Sequence, residues 1–177
     1  DTVLRLGIDL LLIGPEDPLV DGVVDFLKKE PKLKNLLIVG PSAQGALLEG
    51  SKDFAKQFML KYGIPTAAGE MFTKADLDAG KHFLAELTPP YVLKADGLAG
   101  GKGVIITKDL QEAKDSLEKL LGGQFGAASE NVLIEEFLDG IELSVFVLTD
   151  GDAYVILPEA KDYNRIGEAD TGPNTGG

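Results

Sequence analysis

Residues 94–103 read Lys94-Ala95-Asp96-Gly97-Leu98-Ala99-Gly100-Gly101-Lys102-Gly103, four glycines and two lysines set between the apolar runs 91–95 and 104–107. No other stretch limits the fold as much. Glycine lets backbone amides approach phosphate oxygens closely, and lysine supplies charge. A Walker A loop needs four residues between its first glycine and the Gly-Lys pair, then Ser or Thr, then a helix. Here Gly97 and Gly101 enclose three residues, Gly103 follows Lys102, and a strand comes next. A dinucleotide fingerprint fails as well, because Gly101 and Gly103 lead into Val104-Ile105-Ile106 with neither a third glycine nor a helix. Two readings are left: a flap between two strands that folds over a triphosphate, or an ordinary glycine-rich hairpin turn.

Charge narrows the ligand. With 29 acidic against 17 basic residues the formal charge is -12, which argues against a broad basic surface for nucleic acid or anionic lipid. A phosphate must be met locally, so individual lysines beside glycine or at helix starts carry the signal. The chain has no cysteine, which excludes a disulfide framework, a thiolate metal site and a thiol nucleophile, and suits the cytosol. No apolar run approaches the roughly 18 residues that cross a bilayer, and no signal-peptide pattern opens the chain. The expectation is a cytoplasmic protein with no membrane or nucleic-acid partner. A length of 177 residues, 44% of them hydrophobic, allows one ordinary domain or two small ones. The missing Met start and the end on Gly176-Gly177, just after a dense polar motif, suggest an internal piece of a longer protein.

The first 50 residues alternate strand and helix signals: a buried-strand run at 10–14, helical spacing over 19–29, and apolar residues again at 35–40. This reads as the tail of a parallel βαβ layer, with 42–50 a small-residue connection. A helix is predicted over 51–62, with Ser51 as N-cap, Phe54, Ala55, Phe58, Met59 and Tyr62 on one face, Gly63 beyond its end and Pro65 after that. Two more helices are predicted over 74–87, behind Thr73, and over 110–121, with Asp109 and Glu112 as a capping-box-like pair and Gly122 as the stop. Strands are predicted at 91–95, 104–107, 132–135, 142–148 and 153–157, with Asp150-Gly151 turning the last pair. The mixture describes α/β followed by α+β.

Two lysines stand in costly places. Lys52 falls in the first turn of a helix, where the macrodipole disfavours a cation by about 0.3–1 kcal/mol, so either a nearby anion or simple solvation beside Asp53 must offset it. Lys94 interrupts an apolar strand. It is an edge-strand charge or, if that strand is central, an ammonium that needs an anionic partner. Farther on, Glu135-Glu136-Phe137-Leu138-Asp139-Gly140-Ile141-Glu142 joins two strands with acidic and large apolar side chains. It can give adenine an acceptor, a backbone donor and apolar walls, and give a ribose a carboxylate; it can equally be a hydrophilic turn with Phe137 and Leu138 packed inward. His82, inside a helix, reads as a surface or packing residue.

A lysine early in a helix, a strand lysine with a glycine loop, and E-E-F-L-x-G-x-E occur here in the order of the ATP-grasp superfamily. Flanking words tighten the match: Gly14-Pro15-Glu16, Pro18-Leu19, Leu48-Glu49-Gly50-Ser51-Lys52, Gly63-Ile64-Pro65-Thr66, Gly101-Lys102-Gly103-Val104 and Asp170-Thr171-Gly172-Pro173-Asn174-Thr175-Gly176-Gly177. Along essentially its whole length the chain resembles the phosphoribosylamine-glycine ligase family.

That resemblance implies an ATP-grasp fold preceded by the tail of a Rossmann-like domain. Residues 1–50 would close the Rossmann-like domain, 51–69 and 136–177 would belong to the central ATP-grasp domain, and 70–135 would form a small lid. It implies that Lys52 and Lys94 contact ATP phosphates, that Gly97, Gly100, Gly101, Lys102 and Gly103 form a mobile loop over them, and that Glu135, Glu136, Phe137 and Leu138 hold adenine while Glu142 holds the ribose. Lys94 and Arg165 would serve catalysis. Arg165 and Asp170, Thr171, Gly172, Pro173, Asn174, Thr175 and Gly176 would face the substrates glycine and phosphoribosylamine. Between Asp162 and Arg165 the family carries a basic residue, whereas Tyr163-Asn164 stand here. Magnesium or manganese would act in the intact enzyme, with its ligands outside this stretch; a monomer is expected, and the stretch alone should lack turnover. The implied reaction makes glycinamide ribonucleotide for purine synthesis, through glycyl phosphate. Competing readings are another ATP-grasp carboxylase or carboxylate-amine ligase, and a non-catalytic nucleotide-binding module.

Overall fold

The computed structural model describes residues 2–99, 102–161, 165–168 and 171–174; at 165–166 and 171–174 it defines the backbone alone. The chain begins with a short helix α1 (Thr2–Leu6) and the parallel pair β1 (Leu10–Leu12) and β2 (Leu37–Val39), in register Leu10↔Leu37 to Leu12↔Val39. The single helix predicted over 19–29 is instead two, α2 (Glu16–Val20) and α3 (Val23–Lys28), because Gly22 adopts a left-handed φ of 84° between them. The predicted connection 42–50 is also a helix, α4 (Ala43–Gly50), capped by Ser42 Oγ, which accepts from the Gly45 amide. Its small residues that obscured the helical signal permit close packing: a Cβ on Gly50 would lie 2.8 Å from Val20.

Helix α5 (Lys52–Tyr62) starts at Ser51 and ends at Gly63, which is left-handed as expected. Its predicted apolar face is covered only in part, with Ala55, Phe58 and Met59 half-buried. Phe54 and Tyr62 are exposed, and the buried residue is Lys56.

The core lies in the next unit. Strands β3 (Gly69–Thr73), β4 (Tyr91–Ala95), β5 (Val104–Thr107) and β6 (Asn131–Glu135) form an antiparallel sheet in the order β3-β6-β4-β5. Helices α6 (Leu77–Glu86) and α7 (Leu110–Leu121) pack on one face. Phe72, Leu84, Tyr91, Leu93, Leu117, Leu120, Val132 and Ile134 fill the space between. The predicted start at 74 is a 3-10 turn, Lys74–Asp76, and Thr73 Oγ1 accepts from the Ala75 amide. Asp109 caps α7 through the Glu112 amide, but Glu112 does not complete a capping box: its carboxylate accepts from the Thr107 hydroxyl. At the other end the left-handed residue is Gly123, with Gly122 in ordinary helical geometry.

Beyond β6 the chain is mostly exposed. The predicted strand 142–148 divides: β7 (Leu143–Ser144) pairs with β10 (Ala160–Lys161), and β8 (Val147–Thr149) pairs with β9 (Tyr154–Ile156) around a four-residue turn. In that turn the amides of Ala153 and Asp152 bond the Asp150 carboxylate and hold its pKa below the usual range. The backbone of β11 (Arg165–Gly167) pairs with β12 (Thr171–Asn174). Among the described residues no helix is long and apolar enough to cross a membrane.

Candidate functional site

Strand alternation sends Tyr91, Leu93 and Ala95 toward the helices, and Val92 and Lys94 to the opposite face of the sheet. Strand β4 lies between β6 and β5, so Lys94 is on a central strand, the case that demands an anionic partner. The partner is Glu135. Its carboxylate stands 2.6 Å from Lys94 Nζ and also pairs with Lys56, which the sequence analysis passed over. Burial opposes ionisation of Glu135, yet hydrogen bonds from Lys56 and Lys94 outweigh it and hold its pKa below the ordinary carboxylate range. The carboxylate expected at adenine is thus buried between two ammonium groups.

Lys52 sits beside the first residues of the glycine loop. Its Nζ donates to the carbonyls of Asp96 at 3.3 Å and Gly97 at 3.4 Å, and its backbone amide also donates to Asp96 O. The Asp96 carboxylate accepts from Ser51 Oγ at 3.1 Å and from the Asp53 amide at 2.9 Å, so it caps α5 from outside the helix. This is the anion that offsets a cation in the first turn. Burial lowers the Lys52 pKa, against the opposing pull of Asp96 and Glu49.

The loop is pinned at both ends. The Asp96 amide donates to Asn131 O and the Gly97 amide to Ala128 O, while Gly103 O accepts from the Ala95 amide. A Cβ on Gly97 would lie 2.9 Å from Ala128 Cα, and one on Gly103 would lie 2.8 Å from Ala99 Cβ. These two glycines are required by close packing before any ligand is considered. Lys102 is exposed; Gly100 and Gly101 lie outside the described residues.

On the same sheet face Lys94 lies opposite Val104 and Leu133, and Val92 opposite Ile106 and Glu135. Phe137 borders an open concavity there with Pro89, Pro90, Ile106, Thr107, Lys108 and Asp139. Glu136 is clasped to the residue before β3: its amide donates to Ala68 O and its carboxylate accepts from the Ala68 amide. Its amide is thus already bonded within the protein. Phe137, Leu138 and Glu142 are exposed, so Phe137 and Leu138 are not packed inward. Ammonium groups beside the glycine loop and a concavity walled in part by Ile106 and Phe137 are features that suit a nucleotide.

Arg165 and Thr171–Asn174 are brought into one hairpin, with Arg165 paired to Asn174. Asp170, Thr175 and Gly176 lie outside the described residues, as do Tyr163 and Asn164. Among the described residues no three His, Cys, Asp or Glu side chains gather as a metal site. The residues not anticipated are Lys56, Asp96 and Ala128. For Lys56 a signal existed, since it follows Lys52 by four residues and so shares its side of the helix.

Residues 50–177 match the family model described as Phosphoribosylglycinamide synthetase, ATP-grasp (A) domain, and residues 1–49 match that of the N domain. A phosphoribosylamine-glycine ligase of Vibrio cholerae serotype O1 is 47% identical over 172 residues, covering 97% of this chain and 39% of the relative. A chloroplastic phosphoribosylamine-glycine ligase of Arabidopsis thaliana is 46% identical over 174 residues, 98% of this chain and 32% of the relative. The crystal structure of the Thermotoga maritima phosphoribosylamine-glycine ligase superposes with a TM-score of 0.74 at 40% identity, covering 94% of this chain and 39% of that one. The chain thus spans about two fifths of the length of the bacterial relatives it matches. Its parallel strand pair followed by antiparallel sheets is the architecture of an ATP-grasp protein. The chain belongs to the phosphoribosylglycinamide synthetase family.

Proposed function

We propose that this chain supplies the nucleotide-binding part of an ATP-dependent ligase that joins glycine to phosphoribosylamine in purine synthesis. The observation carrying this reading is that Lys52 bonds the first carbonyls of the glycine loop while Lys94, on the strand leading into that loop, is near enough to act on the Lys52 charge, with a concavity at Ile106 and Phe137 beyond. In this reading residues 1–50 close a Rossmann-like domain, 70–135 form the lid, and 51–69 with 136–177 belong to the central domain. Lys52 and Lys94 hold the phosphates, the amides between Gly97 and Gly103 cover them, and Phe137 and Leu138 flank adenine.

A glycine carboxylate oxygen attacks the terminal phosphorus of ATP, and the bond to ADP breaks, giving glycyl phosphate. The phosphoribosylamine nitrogen then attacks the acyl carbon, phosphate leaves, and the nitrogen loses a proton. No protein nucleophile is needed. The work of the chain is positioning, cancelling phosphate charge and keeping water from the acyl phosphate. Magnesium, when bound, would add to that charge cancellation. Arg165 and the Asp170–Gly176 run face the two smaller substrates. The cysteine-free composition supports action in the cytoplasm, although the Arabidopsis relative is chloroplastic.

The test is phosphate release by the complete enzyme. Release that requires both glycine and phosphoribosylamine supports the assignment; stimulation by bicarbonate, with none by that pair, refutes it.

A further inference from the structure

Lys56 is buried in the middle of α5, at 4% exposure. Its ammonium has three acceptors: Thr66 Oγ1 at 3.0 Å, Ala67 O at 2.6 Å and a Glu135 oxygen. Three acceptors use all three N–H donors of a lysine, so Lys56 has nothing left for a ligand. The other Glu135 oxygen meets Lys94, whose side chain is 33% exposed. One carboxylate therefore lies between a sealed lysine and an open one, and the trio carries a net charge of +1 that emerges at Lys94.

If Glu135 had only Lys94 as a partner, the pair would be neutral and Lys94 would be drawn into it. With Lys56 balancing the carboxylate, the Lys94 charge is unspent on the open side of the sheet. We propose that Lys56 is a positioning residue of the phosphate site, which neutralises and orients Glu135 so that Lys94 can meet a nucleotide phosphate. The idea rests on the reading of Lys94 as a phosphate ligand. Lys56 itself touches no substrate.

The test is calorimetric binding of ATP with magnesium to the complete enzyme, with the glycine KM measured alongside. Lys56→Met should raise the ATP Kd at least tenfold while leaving the glycine KM within about twofold. Adding Glu135→Gln to Lys56→Met should recover most of the lost affinity, because the carboxylate that captures Lys94 is gone. A purely structural Lys56 predicts that affinity is lost and regained only in step with the denaturation midpoint, so that midpoint is measured on the same variants, and a Kd that merely follows it overturns the proposal. An ATP Kd within twofold of the parent for Lys56→Met, or a double variant no tighter than the single one, overturns the proposal. Should Lys56→Met not fold, the comparison moves to the Glu135→Gln background, where the burden of an unpaired carboxylate is absent. There Lys56→Met should change the ATP Kd by less than twofold relative to Glu135→Gln alone, and a larger loss overturns the proposal. Lys94→Met is the control for the underlying reading: if it leaves the ATP Kd unchanged, the phosphate assignment itself has failed, whereas a loss there without one at Lys56 rejects only the positioning role.

Discussion

Under the proposed function, replacing Lys94 by Met would remove one charge-assisted contact to phosphate, worth about 1.5–3 kcal/mol, so the ATP Kd of the complete enzyme should rise by roughly 10- to 150-fold. Titration with ATP checks this, and an unchanged Kd would put Lys94 outside the site. Glu135 has a depressed native pKa, so its ionisation contributes stability that is fully present above the unfolded value, about 4.3, and is lost as pH falls through the lower native value. Denaturant unfolding from pH 7 down to pH 3 should therefore show a loss of stability that Glu135→Gln reduces; identical pH profiles for the two proteins would contradict the ion-pair geometry. Lys94 was legible from sequence because a charge in an apolar strand has few explanations. Lys56 was marked only by its spacing from Lys52, because a lysine in a helix usually marks a solvated face, and only the fold reveals Glu135, nearly eighty positions later, beneath it.

At the scale of elements, helix α5 depends on two caps at once, its own Ser51 hydroxyl and the Asp96 carboxylate that Ser51 in turn contacts. Ser51→Ala should cost about 1 kcal/mol or somewhat more, measured by denaturant unfolding, and a change below about 0.3 kcal/mol would mean that Asp96 alone caps the helix. Helices α5 and α7 were readable because their caps and stops are encoded within a few residues. Helix α4 was not, since Gly45 and Gly50 lower its helical propensity, although Gly50 is what lets it lie close to Val20 of α2. The division of 142–148 into two strands escaped for another reason. β7 pairs with β10, while β8 pairs locally with β9, and nothing in an alternating apolar run says where one partner gives way to another.

Over the whole molecule, burial is concentrated between residues 69 and 135, and the stretch from Glu136 to Lys161 is almost entirely exposed, including Val147, Leu148, Tyr154, Val155 and Ile156. A two-stranded hairpin with both faces uncovered is marginal in water. Limited proteolysis of the isolated 177-residue chain should therefore cut within 136–161 before it opens 69–135, as read by mass spectrometry of the first fragments; early cuts inside β4 or β6 would contradict this. The order of motifs was enough to place the chain among ATP-grasp proteins, because glycine-loop and hinge words are local. The contacts between them were not, since each joins residues about thirty to eighty positions apart. One such contact has a practical use. The Asp53 amide is held by a carboxylate from the glycine loop and not by its own helix, so its rate of hydrogen exchange gauges whether loop and helix are latched, and a single backbone proton would register nucleotide arrival at the far side of that latch.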